Sequence, residues 1–402
     1  MHSSQLGAMR GRQAQALGRQ RFKRRTKLMN ATEQFLRQAN GRSSRRLQDL
    51  LPQPRAFAKS CACALALLLP GSFVVVALLW LYRRCTLGAM RPRLARCSTV
   101  CKRSGALVLL VLAALASGCS VRNYAINSVG DALAASGSGF GSDDDPELVG
   151  AAAPFSLKLM ESVLAESPNH RGLLLAATQG FVQYAYAYVE LKADELEDTD
   201  LKAAHEQRER ARRFYLRARN YGLHGLEVAV PGVTKALKTD PANAVSKAGS
   251  EDVGLLYWTG VAWAAAISLS KDDPFLVAEL PAVEALVGRA FALDETFDRG
   301  GLHVFMINYE MSRAGLSAGA PARARKHFAR AVDLTEGMHA APYVAFAEAV
   351  CIAERNRAEF QRLLRGVLAL DVAKKPEWRL VNLVMQRRAR WLLGRIEKFF
   401  AD

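Results

Sequence analysis

Residues 324–334 read ARKHFARAVDL. Ala324, Phe328, Ala331 and Leu334 follow one another at steps of four, three and three, which sets them on one face of an α-helix. The order is a small residue, a large apolar one four places on, and a small residue three after that. Small residues at such places let the two helices of a hairpin, and neighbouring hairpins, approach closely. Ala211, Tyr215, Ala218 and Tyr221 follow the same grammar, and looser versions run through Ala290-Leu293-Asp294 and Val367-Leu370-Asp371.

The related positions 290, 331 and 367 are 41 and 36 residues apart. That is near the roughly 34-residue period of tetratricopeptide repeats, with insertions. Partner helices are legible as Leu255–Leu269 with Tyr257, Trp258 and Trp263, Gly301–Arg313 with Phe305 and Tyr309, and Ala341–Glu354 with Tyr343 and Phe346. Breaks fall at Ser167-Pro168-Asn169, at Asp240 to Asn243, at Asp272-Asp273-Pro274 and at Lys375-Pro376, and no alternating strand pattern lies between them. The expected fold class for residues 143–402 is therefore all-α, with helical hairpins of tetratricopeptide-like type stacked into a curved solenoid. At its head, Ser136–Ser142 carries the glycine spacing of a phosphate loop, but Asp143, Asp144 and Asp145 would repel an anion. An Asp N-cap followed by Pro146 and Glu147 instead predicts a helix start.

The 402-residue chain has a formal net charge of +17, and that charge is unevenly placed. Residues 1–118 hold 21 Lys/Arg against Glu33 and Asp49, a balance of +19, so residues 119–402 carry 34 basic and 36 acidic groups, a balance of −2. A nearly neutral, slightly acidic folded part gives little support to nucleic-acid binding, which needs a basic face. Cysteines divide at the same point, since only Cys119 and Cys351 follow it, and two cysteines of which one is an anchor cannot form an intrachain disulfide framework.

The leader explains this asymmetry. From Met90, basic residues Arg91 to Arg103 precede an apolar stretch over 105–116, then Leu115-Ala116-Ser117-Gly118-Cys119. Basic region, short apolar core and small residues at the cleavage point make a secretory signal over 90–118, too short to span a bilayer comfortably. The small residues before Cys119 resemble a bacterial lipobox, whose cysteine is acylated and becomes the mature N-terminus. Ala116 departs from the Leu more common there. Acyl chains at roughly 0.8 kcal/mol per buried methylene would hold the body at a membrane, with 119–142 as anchor and tether. Ser120 in the next place resembles the sorting rule for the outer membrane, facing the periplasm. Residues 1–89 are a basic leader in which 60–82 is apolar enough to span a bilayer. Either that segment is a transmembrane helix or translation starts at Met90; the second is favoured, because a span before a complete export signal is redundant.

With those residues in place, the body resembles the T component of tripartite ATP-independent periplasmic (TRAP) transporters, lipoproteins built from degenerate tetratricopeptide hairpins. The resemblance is carried by 143–149 (DDDPELV), 153–161 (APFSLKLME), 180–185 (GFVQYA), 256–260 (LYWTG) and 382–393 (NLVMQRRARWLL). It covers most of 120–402 and none of 1–89. It implies a periplasmic scaffold that associates with the substrate-binding component of a TRAP system as a homotrimer, with an apolar cleft or pore for an apolar or organic-acid ligand. Tyr184, Tyr186, Tyr188, Trp258 and Trp263 are the candidate lining residues. The same architecture also suits an outer-membrane lipoprotein that scaffolds envelope assembly, and an enzyme with an unrecognised site is the third reading.

Catalytic and metal constellations are weak. The body's six histidines are scattered in sequence, and His205-Glu206 lacks a second ligand four residues on, where Glu209 stands. The acidic run Asp194–Asp200 lacks the order of a calcium loop and reads as a solvated connection. Cys351 reads as a buried, inert thiol. Arg387, Arg388 and Arg390 read as an exposed helix face or a surface for an acidic partner. The expectation is a non-enzyme with no cofactor and no metal.

Overall fold

Asp145 opens the first long helix as its sequence predicts: its carboxylate accepts from Leu148 N at 2.9 Å, Pro146 stands at the first helical position and Glu147 in the first turn. The structure, a computed structural model, describes residues 124–135, 140–312 and 319–401. The readings that fall on residues 1–123, the signal and Cys119 among them, lie outside the described residues. Those described are all-α, with no strand among them. A short helix over 124–135 precedes α1 (Pro146–Glu166). Then come α2 (Arg171–Tyr184), a π-helical segment Ala185–Glu190, α3 (Leu191–Leu196) and α4 (Leu201–Ala229). They are followed by α5 (Val253–Ser268), α6 (Leu280–Leu293), α7 (Gly301–Ser312) and α8 (Ala320–Leu334). Last come α9 (Ala341–Phe346), a second π-helical segment Ala347–Cys351, α10 (Arg357–Ala369), α11 (Arg379–Gly394) and a further helical turn Ile396–Phe399.

The polar breaks work as caps. Asp200, Asp240, Asp273 and Asn356 each accept a backbone N–H two or three residues on, supplying partners for helix-start amides that have none within the helix. Between these caps the helices pack as successive neighbours: α4 lies against both α2 and α5, α5 against α6, α7 against α8, and α10 against α11. Two hydrophobic cores result. One joins α1, α2, α4, α5 and α6, and the other joins α9, α10 and α11 with parts of α7 and α8. The rod formed by α2, its π-helical segment and α3 belongs to both, since Tyr184 and Val189 enter the first core and Leu191 the second.

Helix α5 holds the first core together. Twelve of its sixteen residues are buried, so it has no polar face. It approaches α4 closely because Gly222 and Gly225 face it: a Cβ on Gly222 would overlap Thr259 Oγ1 and meet Thr178 Cγ2 at 3.2 Å, and one on Gly225 would meet Leu255 Cδ2 at 2.6 Å. Helix α1 behaves differently. It buries Val149, Leu157, Met160 and Leu164 while exposing Leu148, Phe155 and Leu159, and among the described residues it is the helix long and apolar enough to cross a membrane by length and composition.

Gly222→Ala tests the α4–α5 contact. Helix propensity alone favours alanine by about 1 kcal/mol, but the methyl has no space, and overpacking costs about 1–3 kcal/mol. A lower urea midpoint is expected, with partial recovery in the Gly222→Ala, Thr259→Ala double variant; a Gly222→Ala protein as stable as the parent refutes the contact.

Candidate functional site

The two π-helical segments begin alike, with Ala185-Tyr186-Ala187 and Ala347-Glu348-Ala349. Each carries a single carboxylate, Glu190 or Glu348, in an otherwise apolar run. A carboxylate in such a place must be paired, bonded or protonated. Here α11 supplies the partner. Arg388 Nε and Nη2 donate to Glu348 Oε1 at 3.0 and 2.6 Å, and Nη2 lies 2.9 Å from Asp194 Oδ2 on α3. Glu190 accepts from the hydroxyl of Tyr215, which stands on α4 and is wholly buried. Arg208 reaches Asp194 at 3.3 Å from outside the group.

Burial sets the protonation of this node. Desolvation pushes Glu190 up to about 6, with the Tyr215 hydrogen bond acting against it. Desolvation likewise raises Glu348, although Arg388 opposes the shift, and it raises the phenols of Tyr186 and Tyr215. Burial disfavours the charge on Arg388, but the surrounding anions outweigh it and hold the guanidinium above its ordinary range. Side-chain exposure is 11% for Arg388, 23% for Asp194 and 25% for Glu348, so the node is largely covered while part of each group still meets solvent.

Helix α11 holds the neighbouring elements as well. Asn382 accepts from Ala340 N at 2.8 Å and donates to Met338 O at 2.9 Å, fixing the start of α9. One turn on, Gln386 donates to Val367 O and Leu370 O at 3.1 and 3.0 Å, closing the end of α10. Arg387 pairs with Glu147 and Glu195 at 3.3 and 3.2 Å, while just past the end of α11 Arg395 and Lys398 both pair with Asp198. The acidic run is therefore a socket for the C-terminal helix rather than a merely solvated connection. Arg388 likewise turns inward to partners within its own chain.

The aromatic candidates separate. Tyr184 stacks at a tilt on Tyr188, 5.6 Å away, and edge-on against Phe214. Tyr188 also covers Gly150 of α1, and its buried hydroxyl has no hydrogen-bond partner. Tyr186 belongs to the carboxylate node. Trp258 meets Tyr257 edge-on, whereas Trp263 donates to Glu279 at 2.9 Å beneath the guanidinium of Arg219. None of the five lines the small groove of about 190 Å³ between α6 and α7, bounded by Val283, Val287, Phe305, Met306 and Tyr309. That groove is below the roughly 300 Å³ at which ligand pockets begin.

With this node and the helical row that frames it described, comparison with known proteins is informative. The family described as TRAP transporter T-component matches residues 142–400. The chain belongs to that family. It is also similar to an uncharacterized protein of Treponema pallidum (strain Nichols), 30% identical over 306 residues, which covers 72% of this chain and 95% of the relative. The T component is an accessory of a transport system, which is not an enzyme class.

The remaining reactive groups of this T component have structural partners. His303 and His327, distant in sequence, meet through their Nδ1 atoms at 2.9 Å, and His303 Nε2 lies 2.8 Å from Glu295. At the His303–His327 contact one Nδ1 donates and the other accepts. Arg330 and then His303 hold Glu295 at about 2. Among the described residues no group of three His, Cys, Asp or Glu is placed to hold a metal ion. Cys351 is buried, and desolvation pushes its thiol up to about 12.

Two measurements test these assignments. Arg388→Leu removes the cation shared by Glu348 and Asp194; Arg208 still reaches Asp194, but Glu348 loses its guanidinium. A loss of about 3 kcal/mol in urea unfolding at pH 7.5 is expected, smaller at pH 5, where protonation relieves Glu348. A variant as stable as the parent at both pH values would show the pairs to be incidental. Iodoacetamide followed by peptide mass mapping should leave Cys351 unmodified in the native protein and label it in urea, because the thiol rather than the thiolate is present; native-state labelling contradicts that.

Proposed function

We propose that this T component is a periplasm-facing lipoprotein that associates with the substrate-binding component of a TRAP transport system, works as a homotrimer, and is held at the outer membrane by acylated Cys119. The observation that carries this reading is the family match over 142–400, the same region that supplies the helical row and its node. Tetratricopeptide-type hairpins are scaffolds for protein association, and a stack of them offers an extended surface. The exposed Leu148, Phe155 and Leu159 on α1 supply an apolar face of the kind that association covers. A leader with +19 of charge and a lipobox-like end favours export over retention in the cytosol.

The charge of the node bears on the ligand. Its carboxylates, Glu190, Glu348 and Asp194, outnumber the guanidiniums of Arg388 and Arg208, and Arg208 is shared with Glu197, so an organic acid would meet net negative charge there. An apolar ligand is the better match of the two classes. Its contact residues would come from the aromatic groups beside the node, Tyr186 first.

Crosslinking in cells followed by affinity capture on this protein is the deciding experiment. A periplasmic solute-binding protein should dominate the recovered partners, and intact mass should show a chain that begins at Cys119 with acyl chains attached. Recovery of envelope-assembly machinery in its place would support the scaffolding alternative and reject the transport one.

A further inference from the structure

His303 and His327 stand on neighbouring helices, α7 and α8, and meet through their Nδ1 atoms at 2.9 Å. The side chain of His303 is 4% exposed, and its other ring nitrogen lies 2.8 Å from Glu295 Oε2. Phe291 of α6 packs edge-on against both rings, with centroids 5.1 and 5.9 Å away. Four charged groups surround the pair. Glu295 comes from the α6–α7 connection and is gripped by Arg330 of α8, while Glu310 of α7 pairs with Arg323 of α8. The pair also marks a boundary: Leu302, beside His303, enters the first core, whereas Ile307 and Ala324 enter the second.

Ring protons set a limit on this contact. A neutral imidazole has an N–H and a lone pair, whereas an imidazolium has an N–H at both nitrogens. A hydrogen bond between the two Nδ1 atoms needs an N–H on one side and a lone pair on the other. It therefore survives when both rings are neutral or when either is charged. With both charged, two N–H groups face each other at 2.9 Å with no acceptor between them, and two cations share a largely covered site. We propose that the His303–His327 pair is an acid-operated joint between the two halves of the described fold: it accepts a first proton and is broken by a second, which loosens α7 on α8 while each core persists.

The direction in pH follows from the same geometry. Burial and then His303 lower His327 from its ordinary value of 6.5, with Glu310 acting against them. The closed joint thus resists the second proton, and the open one takes it up in the ordinary histidine range. The contact is fully present above that range and is lost as pH falls through it. Excluding one proton of ordinary histidine affinity makes opening about tenfold more favourable at pH 5.5 than at pH 7.5. Glu295 does not reverse the sign, because Arg330 and then His303 hold it at about 2 and it stays ionised over this span.

Hydrogen exchange of the full chain, read by mass spectrometry and corrected for intrinsic rates, tests the joint. Peptides from α7 and α8 should open about tenfold more readily at pH 5.5 than at pH 7.5, while peptides from α5 should not change. His327→Gln leaves an amide that can donate or accept but takes up no proton, and it should remove the dependence. His205→Gln, at an exposed position on α4, should keep it. Opening in the parent that does not vary with pH overturns the proposal, as does a His327→Gln protein that retains the full dependence. So does α5 opening in step with α7 and α8, which is acid unfolding of the whole body. Should His327→Gln fail to fold, histidine ring ¹⁵N shifts of the parent at pH 5.5 decide. No more than one imidazolium in the pair supports the joint, and two charged rings with the α7 and α8 amides still protected refute it.

Discussion

A desolvated guanidinium must find anions, and in this protein that requirement fixes where the chain ends. Arg388 reaches Glu348 and Asp194, which are remote from it and from each other along the chain, and it lies with its Cζ 4.3 Å from the ring centroid of Trp391. Arg395 packs on the same ring at the same distance. The alternative positions of α11 are poor. A slip by one turn, about 5.4 Å, would carry the guanidinium away from both carboxylates and leave buried charges unpaired, whereas an apolar seam alone would tolerate the shift far better. Asn382 and Gln386 reinforce the same register, since each satisfies backbone groups at the end of a neighbouring helix.

The first core is built on a different constraint. Helix α5 is apolar on every side, so it has to be surrounded, and α4 can approach it only where Gly222 and Gly225 present no side chain. The two halves of the described fold thus use opposite means of specifying position. One relies on backbone proximity and shape, the other on polar groups that each have one acceptable partner. The α2–α3 rod is common to both, and its π-helical segment carries Glu190 against Tyr215 of α4.

Much of this was legible in the sequence because it is local. The cap at Asp145 and the breaks at Asp240 and Asp273 depend on residues two or three places apart, and the apolar spacing that gives all-α structure repeats within four residues. Tyr215 and Ala331 were found as members of a packing grammar, and both are buried. The node was not found, because its pairs span 40 residues between Glu348 and Arg388 and nearly 200 between Asp194 and Arg388. Without those partners, Arg388 looks like one cation on a charged face and Asp194 like one acid in a solvated turn. A usable signal did exist: a single acid in each of two apolar runs, at Glu190 and Glu348, which burial renders costly unless something answers it. The π-helical geometry that places them had no comparable signature.

The energetic standing of the node explains what it contributes. Replacing a buried ion pair by apolar groups of similar volume is often neutral or stabilising by about 1–4 kcal/mol, so Glu348 and Arg388 are not an efficient way to make the fold more stable. Glu190 is less efficient still, because its ionised form is opposed by burial and by like charge. What the arrangement does supply is discrimination between positions of α11. That property vanishes if the same volume is filled with leucine. A fold that needed only stability would be better served by the apolar solution already in use around α5, and the cost accepted at Glu348 and Arg388 is therefore a cost in stability for one register of the last long helix.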